Sequence, residues 1–245
     1  AALAATGFVW RITTATHPFV SPSLFRNPGF VAATMVGFFS MLANVSSLVF
    51  VPLLISTVNE LSSGAAALAL TPGAAALAIL APFAGRLSDR AGFRAPVFAG
   101  LSAMLLSVLF LSTFGAGASP IVVAAGMLGL GTGFAFVNSP ATNAAAATLG
   151  RKEAGVGLGI YQALFFLGGG TGPAVIGAFL AARREAAAEA LNPLYTLDAA
   201  SFSDAFLVIG AALLLAFVAS LKLRRDNGQP ETGGPAAVPV ERVKS

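Results

Sequence analysis

The chain has 245 residues, of which 56% are hydrophobic and 10% charged, against about 25% charged residues in ordinary soluble domains. Together with a mean hydropathy of +0.83, this excludes a water-soluble fold, which could not hide so much apolar surface, and points to a bilayer. The isoelectric point of 10.1 reflects a small excess of Lys and Arg in a chain with few charges, so nucleic acid is not an expected partner.

Cysteine is absent, which removes disulfides and thiolate metal sites. Neither a metal nor a cofactor is expected. Residues 1–10, AALAATGFVW, are apolar but follow no basic stretch. They do not read as a signal peptide; they read as the end of a membrane helix whose beginning is missing. Residues 11–27 read as a cytoplasmic linker.

A membrane crossing needs about 20 apolar residues. Charge-free stretches place a first span at 30–55 and a second at 61–85. Residues 95–150 are uncharged and too long for one crossing, and the run GAGASP at 115–120 divides them into spans at 96–114 and 121–145. A fifth span follows at 154–182 and a sixth at 205–221. The segments are long and continuously apolar, without the alternation of barrel strands. The expected fold is therefore an all-α membrane protein, a six-helix transmembrane bundle over residues 28–225. Residues 226–245 are polar and rich in Gly and Pro, and they read as a disordered cytoplasmic tail.

Basic residues set the expected orientation. Arg26 precedes the first span; Arg86, Arg90 and Arg94 lie between the second and third; Arg151 and Lys152 lie between the fourth and fifth; Lys222, Arg224 and Arg225 follow the sixth. Only Arg183 and Arg184, between the fifth and sixth spans, fall on the other side. This predicts a multi-pass cell-membrane protein with both ends cytoplasmic.

The stretch GRLSDRAGFR at 85–94 joins the second and third spans. Gly85 and Gly92 permit tight turns. Asp89 is expected to accept hydrogen bonds at a helix N-terminus. Arg86, Arg90 and Arg94 are expected to pair with Asp89 or with anionic lipid headgroups, and a loop held this way would lock one arrangement of the bundle. An ordinary positive-inside turn accounts for the same residues.

This stretch resembles the G-x-L-x-D-R-x-G-R/K signature of the major facilitator superfamily. Here Phe93 stands where the first basic residue would be, and Arg94 follows it. The wider chain, from 19 to 223, is similar to the C-terminal half of the 14-helix drug/proton antiporters, the tetracycline and quaternary-ammonium exporter group. The supporting stretches are HPFVSP at 17–22, VPLL at 51–54, EAGVG at 153–157, NPLY at 192–195 and FSDAF at 202–206. The resemblance implies half of a major facilitator fold and proton-coupled efflux of hydrophobic or cationic drugs by alternating access. It implies as partners the N-terminal half of the same transporter, the lipid bilayer, a small apolar or cationic substrate, and protons. A self-sufficient six-helix protein acting as a homodimer is the alternative.

In the fifth span, Gly155 and Gly159, and Gly168 and Gly172, stand four apart, a spacing that lets helices approach closely. Pro173 would add a kink. Gly172-Pro173 loosely resembles the superfamily's antiporter Gly-Pro motif, without the Gly pair that follows it there. Asn44, Asn138, Tyr161, Gln162 and Phe165 are candidate substrate-cavity residues. Asn138 and Gln162 lie at similar depth on either side of Arg151, with Phe134, Phe136 and Phe166 nearby. Amides among aromatic rings suit a large, mostly apolar ligand, and they also serve plain interhelical hydrogen bonding. No ionisable residue is expected inside a span. In the tetracycline exporters, the resemblance places an acid in the fifth span of this half, where this chain has Gly169. The lone histidine is in a predicted loop, and no nucleophile–base pair stands out. The chain is not expected to be an enzyme.

Overall fold

The computed structural model describes residues 23–150, 153–186, 190–195 and 199–223. The expected terminal segments 1–10 and 226–245 lie outside the described residues. One helical turn, Ser23–Arg26, precedes six long helices. These are α1 (Pro28–Thr57), α2 (Ser63–Ala91), α3 (Arg94–Phe114), α4 (Pro120–Ala147), α5 (Ala154–Ala186) and α6 (Ala200–Ser220). All six are long and apolar enough to cross a membrane, and no strand occurs among the described residues.

The helix starts carry ordinary capping chemistry. The Asn27 side chain accepts hydrogen bonds from the Gly29 and Phe30 amides at 3.0 and 3.3 Å, with Pro28 in the first helical turn. Both devices satisfy or remove amides that have no helical partner. Ser62 caps α2 through the Ala65 amide, and Pro120 opens α4. Gly92 ends α2 at φ 77°, a left-handed conformation that favours glycine.

The packing follows a simple exchange rule. α1 packs on α5 and α6 as α4 packs on α2 and α3; α1 meets α4, and α3 meets α6. Swapping α1–α2–α3 for α4–α5–α6 leaves this set of neighbours unchanged. Successive helices run antiparallel, so α1 and α4 cross in opposite directions. The bundle is thus organised as two three-helix units of inverted topology.

Small residues hold the closest crossings. A Cβ on Gly131 would lie 2.1 Å from the Gly73 carbonyl oxygen, so α2 and α4 touch backbone to backbone. Gly133 and Gly100 make the same contact between α4 and α3. Gly168 and Gly172 of α5 sit against the Phe38 and Leu42 carbonyls of α1. In lipid, where apolar side chains gain little by leaving the solvent, such close packing supplies much of the association.

Two asparagines tie the helix ends. Asn59 donates to the Gly115 and Ala118 carbonyls and accepts from the Gly117 amide, joining the α1–α2 connection to the α3–α4 turn. At the opposite end, Asn27 donates to the Thr148 carbonyl.

The structure corrects the expected charge-free spans. α5 runs through Arg183 and Arg184, and α6 starts early enough to include Asp204. At the other end, α2 continues through Arg86, Asp89 and Arg90 to Ala91. The apolar stretches were located by the absence of charge. A helix does not stop at its first ionised residue when that residue can reach a partner or the interface.

Candidate functional site

GRLSDRAGFR forms the last two turns of α2, a break at Gly92 and Phe93, and the first residue of α3. Gly85 faces Ser139 of α4, where a Cβ would lie 3.5 Å from the hydroxyl. Asp89 and Arg90 are exposed, while Ser88 is buried without a hydrogen-bond partner. Among the described residues Asp89 forms no ion pair with Arg86, Arg90 or Arg94. Arg94 lies over the Phe98 ring at 5.4 Å, a cation–π contact within its own helix. The expected pairing of Asp89 inside the loop is thus not made. The residue is exposed in the C-terminal turn of α2, not at a helix N-terminus. Its carboxylate is available to a partner outside the bundle.

The cavity candidates separate into two groups. Tyr161 and Phe165, expected to line a cavity, are core residues instead. Tyr161 is 1% exposed and fits over Gly37 of α1, with Thr142 of α4 donating to its hydroxyl at 3.3 Å. Phe165 stacks between Tyr161 and Phe134 at centroid distances of 6.2 and 6.4 Å. All three rings are buried in the core of the bundle. Of that aromatic layer, Phe166 reaches the surface, 63% exposed. Asn138 is half-buried and Gln162 exposed. Neither these two amides nor the buried Asn44 makes a side-chain hydrogen bond among the described residues.

The helix-packing glycines also divide. Gly168 and Gly172 form the α1–α5 crossing, with Pro173 next to it inside α5. Gly155 and Gly159 pack against nothing: a Cβ on either meets no atom within 4 Å. They lie on the exposed face of α5 with Gln162 and Gly170. Gly169 abuts Met41 and Val45 of α1.

Sequence reasoning missed a polar cluster at the end of the bundle where α5 meets α6. Asp204 is fully buried and paired with Arg183. Arg183 Nε donates to it at 2.8 Å, and the Leu191 amide donates to its other oxygen at 2.7 Å. Asn192 donates to Ser112 and Thr113 of α3, and Ser112 reaches Ser203 of α6. Arg184 covers the Phe202 ring at 4.9 Å. Arg183 and Asp204 stand 21 residues apart on two different helices, and that spacing gave no signal of this pairing.

Six apolar helices in two inverted units, with a Gly-Asp-Arg-Gly element between α2 and α3, narrow the family. The family model for the Major Facilitator Superfamily matches residues 33–243. The chain belongs to the major facilitator superfamily. As a superfamily member it is an integral membrane protein of a transporter family.

The chain is 30% identical over 175 residues to the multidrug resistance protein Stp of Mycobacterium tuberculosis, covering 71% of this chain and 32% of that protein. It is 29% identical over 179 residues to the lincomycin resistance protein LmrB of Listeria monocytogenes, 73% of this chain and 38% of LmrB. It is 27% identical over 183 residues to the tetracenomycin C resistance and export protein of Streptomyces glaucescens, 75% and 34% of the two chains. The matched segment spans about a third of the length of these relatives.

Proposed function

We propose that this chain is the C-terminal six-helix half of a drug exporter. In this reading it works by alternating access against a second six-helix half, with both of its own ends cytoplasmic. The observation that carries the reading is the similarity to three resistance or export proteins over about a third of their length.

The uncovered faces of the bundle support it. α2 and α5 are the two least buried spans, with 22% and 33% of their apolar windows buried. Each presents small residues outward, on α2 at three- and four-residue spacing. On α2 these are Ala67, Thr71, Ala74 and Ala78; on α5, Gly155, Gly159 and Gly170. On α2, bulky Leu68, Ile79 and Phe83 occupy the adjoining face. Bulky side chains suit lipid, and small ones suit a close-packed helix. Asp89 and Gln162 lie on these exposed helices with their polar groups unused by the described residues. A second half would give Asp89 a partner and close a cavity over Asn138 and Gln162. The substrates are hydrophobic or cationic small molecules.

Proton coupling in this proposal resides outside this half. Asp204, the buried carboxylate among the described residues, is held by Arg183 and the Leu191 amide. We read it as a structural ion pair, which favours a proton-binding group outside this half.

The reading is tested by disulfide crosslinking in the protein extended upstream to the length of its relatives. Cysteines replacing Ala74 and Gly159 should crosslink to cysteines in the upstream helices. Crosslinking only between two copies of residues 1–245 would replace the half-transporter with a homodimer.

A further inference from the structure

A cavity of about 310 Å³ lies beside the first turns of α1, lined by Phe25, Phe30, Met35, Phe38, Phe39 and Leu164 among others. Two features set it apart from the amide-bearing surface considered above. Its surface is wholly apolar; Thr34 lines it, with its hydroxyl buried and without a hydrogen-bond partner. Drug-binding pockets carry a few convergent polar groups that fix orientation, and this one lacks them. It also opens to the outside of the bundle, since Phe25 and Met35 are 47% and 45% exposed.

A cation adjoins one of its lining residues in the chain. Arg26 follows Phe25 directly, is exposed, and forms no ion pair among the described residues. The Asn27–Thr148 hydrogen bond brings this end of α1 to the end of α4, and Arg151 and Lys152 follow three and four residues after Thr148 in the chain. Phe38 lies ten residues into α1, so at 1.5 Å per residue the cavity reaches about 15 Å from the helix start. That is about half of the roughly 30 Å hydrocarbon thickness.

A cation next in the chain to an apolar slot about one leaflet deep suits an amphiphile with an anionic head. We propose that this cavity holds an acyl chain of an anionic phospholipid, with Arg26 engaging the headgroup phosphate. Basic positions beside membrane helices concentrate anionic lipids at the cytoplasmic face. A cationic substrate would be repelled at the same mouth. The site rests on the orientation given under Proposed function only for the leaflet that supplies the lipid.

The test is tryptophan quenching by brominated lipid, with the native Trp10 replaced by Phe. The full chain carrying Phe39→Trp is reconstituted in vesicles that contain brominated phosphatidylglycerol or brominated phosphatidylcholine in both leaflets. Because both leaflets are labelled, topology does not affect the result, and failure here is distinct from failure of the orientation. A Leu215→Trp reporter, on an exposed position of α6, reads the bulk lipid. The site predicts that Phe39→Trp is quenched at about one fifth of the mole fraction of phosphatidylglycerol needed with phosphatidylcholine, the weight of one cation near the surface. Leu215→Trp should show no preference, and Arg26→Gln should abolish the preference at position 39. If Phe39→Trp perturbs folding, judged by helical circular dichroism, Phe25→Trp replaces it. Equal quenching by both lipids, a preference that survives Arg26→Gln, or quenching relieved by an apolar drug rather than by unlabelled phosphatidylglycerol would each overturn the assignment.

Discussion

At the scale of single residues, Asp204 has the most demanding environment in the bundle. Its carboxylate is fully buried and takes donors from Arg183 and from the Leu191 amide. Removing one member of a buried pair leaves the other charge uncompensated, and the cost is about 3–5 kcal/mol. Arg183 keeps 17% side-chain exposure, so we predict the lower end, about 3 kcal/mol, for Asp204→Asn, measured by thermal unfolding in detergent. Arg183→Gln should cost a similar amount, and the double variant less than the sum. Additive losses would show that the two side chains are not coupled. Asp89 should behave in the opposite way. Asp89→Asn should leave the stability of residues 1–245 within about 0.5 kcal/mol, yet lower transport in the upstream-extended protein at normal expression. Wild-type transport would reduce the motif to a topology signal. The motif was legible in the sequence because its glycines and charges sit at fixed offsets. The Arg183–Asp204 pair was not, because nothing in a linear reading brings the two ends of a polar connection together.

At the scale of helices, glycines with the same sequence spacing play different parts. Gly131 lies against the Gly73 backbone, where a Cβ would stand 2.1 Å from the carbonyl oxygen. Gly131→Ala should therefore force α2 and α4 apart and cost about 1–3 kcal/mol, the range for overpacked cores. Gly159 meets open space, so Gly159→Ala should stabilise the isolated chain by up to about 1 kcal/mol through helix propensity. The same substitution should impair efflux in the extended protein if this face docks a helix. Equal destabilisation by both substitutions would contradict the packing described. The existence and order of all six helices were legible, since runs of about 20 apolar residues have few other solutions. Their ends were not, because charge marks where a helix meets the interface rather than where its hydrogen bonding stops. The glycine roles were equally hidden, since a four-residue spacing names a face of a helix but not its neighbour. The aromatic layer failed for the same reason. Tyr161 and Phe165 have the composition of a cavity wall, but Gly37 lets Tyr161 sink into the core.

At the scale of the whole molecule, the orientation of the bundle and its need for a second half can each be measured directly. Orientation is tested with single cysteines in a chain that has none of its own. Ser119 and Gly150 are both exposed, at opposite ends of α4. Ser119→Cys should react with an impermeant maleimide from outside, and Gly150→Cys should react only after permeabilisation. Ser88, in the motif, is unsuited because it is buried. The reverse labelling pattern would invert the bundle. Completeness is tested by energised efflux of a fluorescent cation in cells lacking their own exporters. Six helices form one side of a two-bundle cavity, and the buried acid of this bundle is committed to an arginine. Residues 1–245 alone should insert in the membrane and export nothing, while the reading frame extended upstream should show efflux that a protonophore abolishes. Protonophore-sensitive efflux from residues 1–245 alone would contradict the half-transporter account.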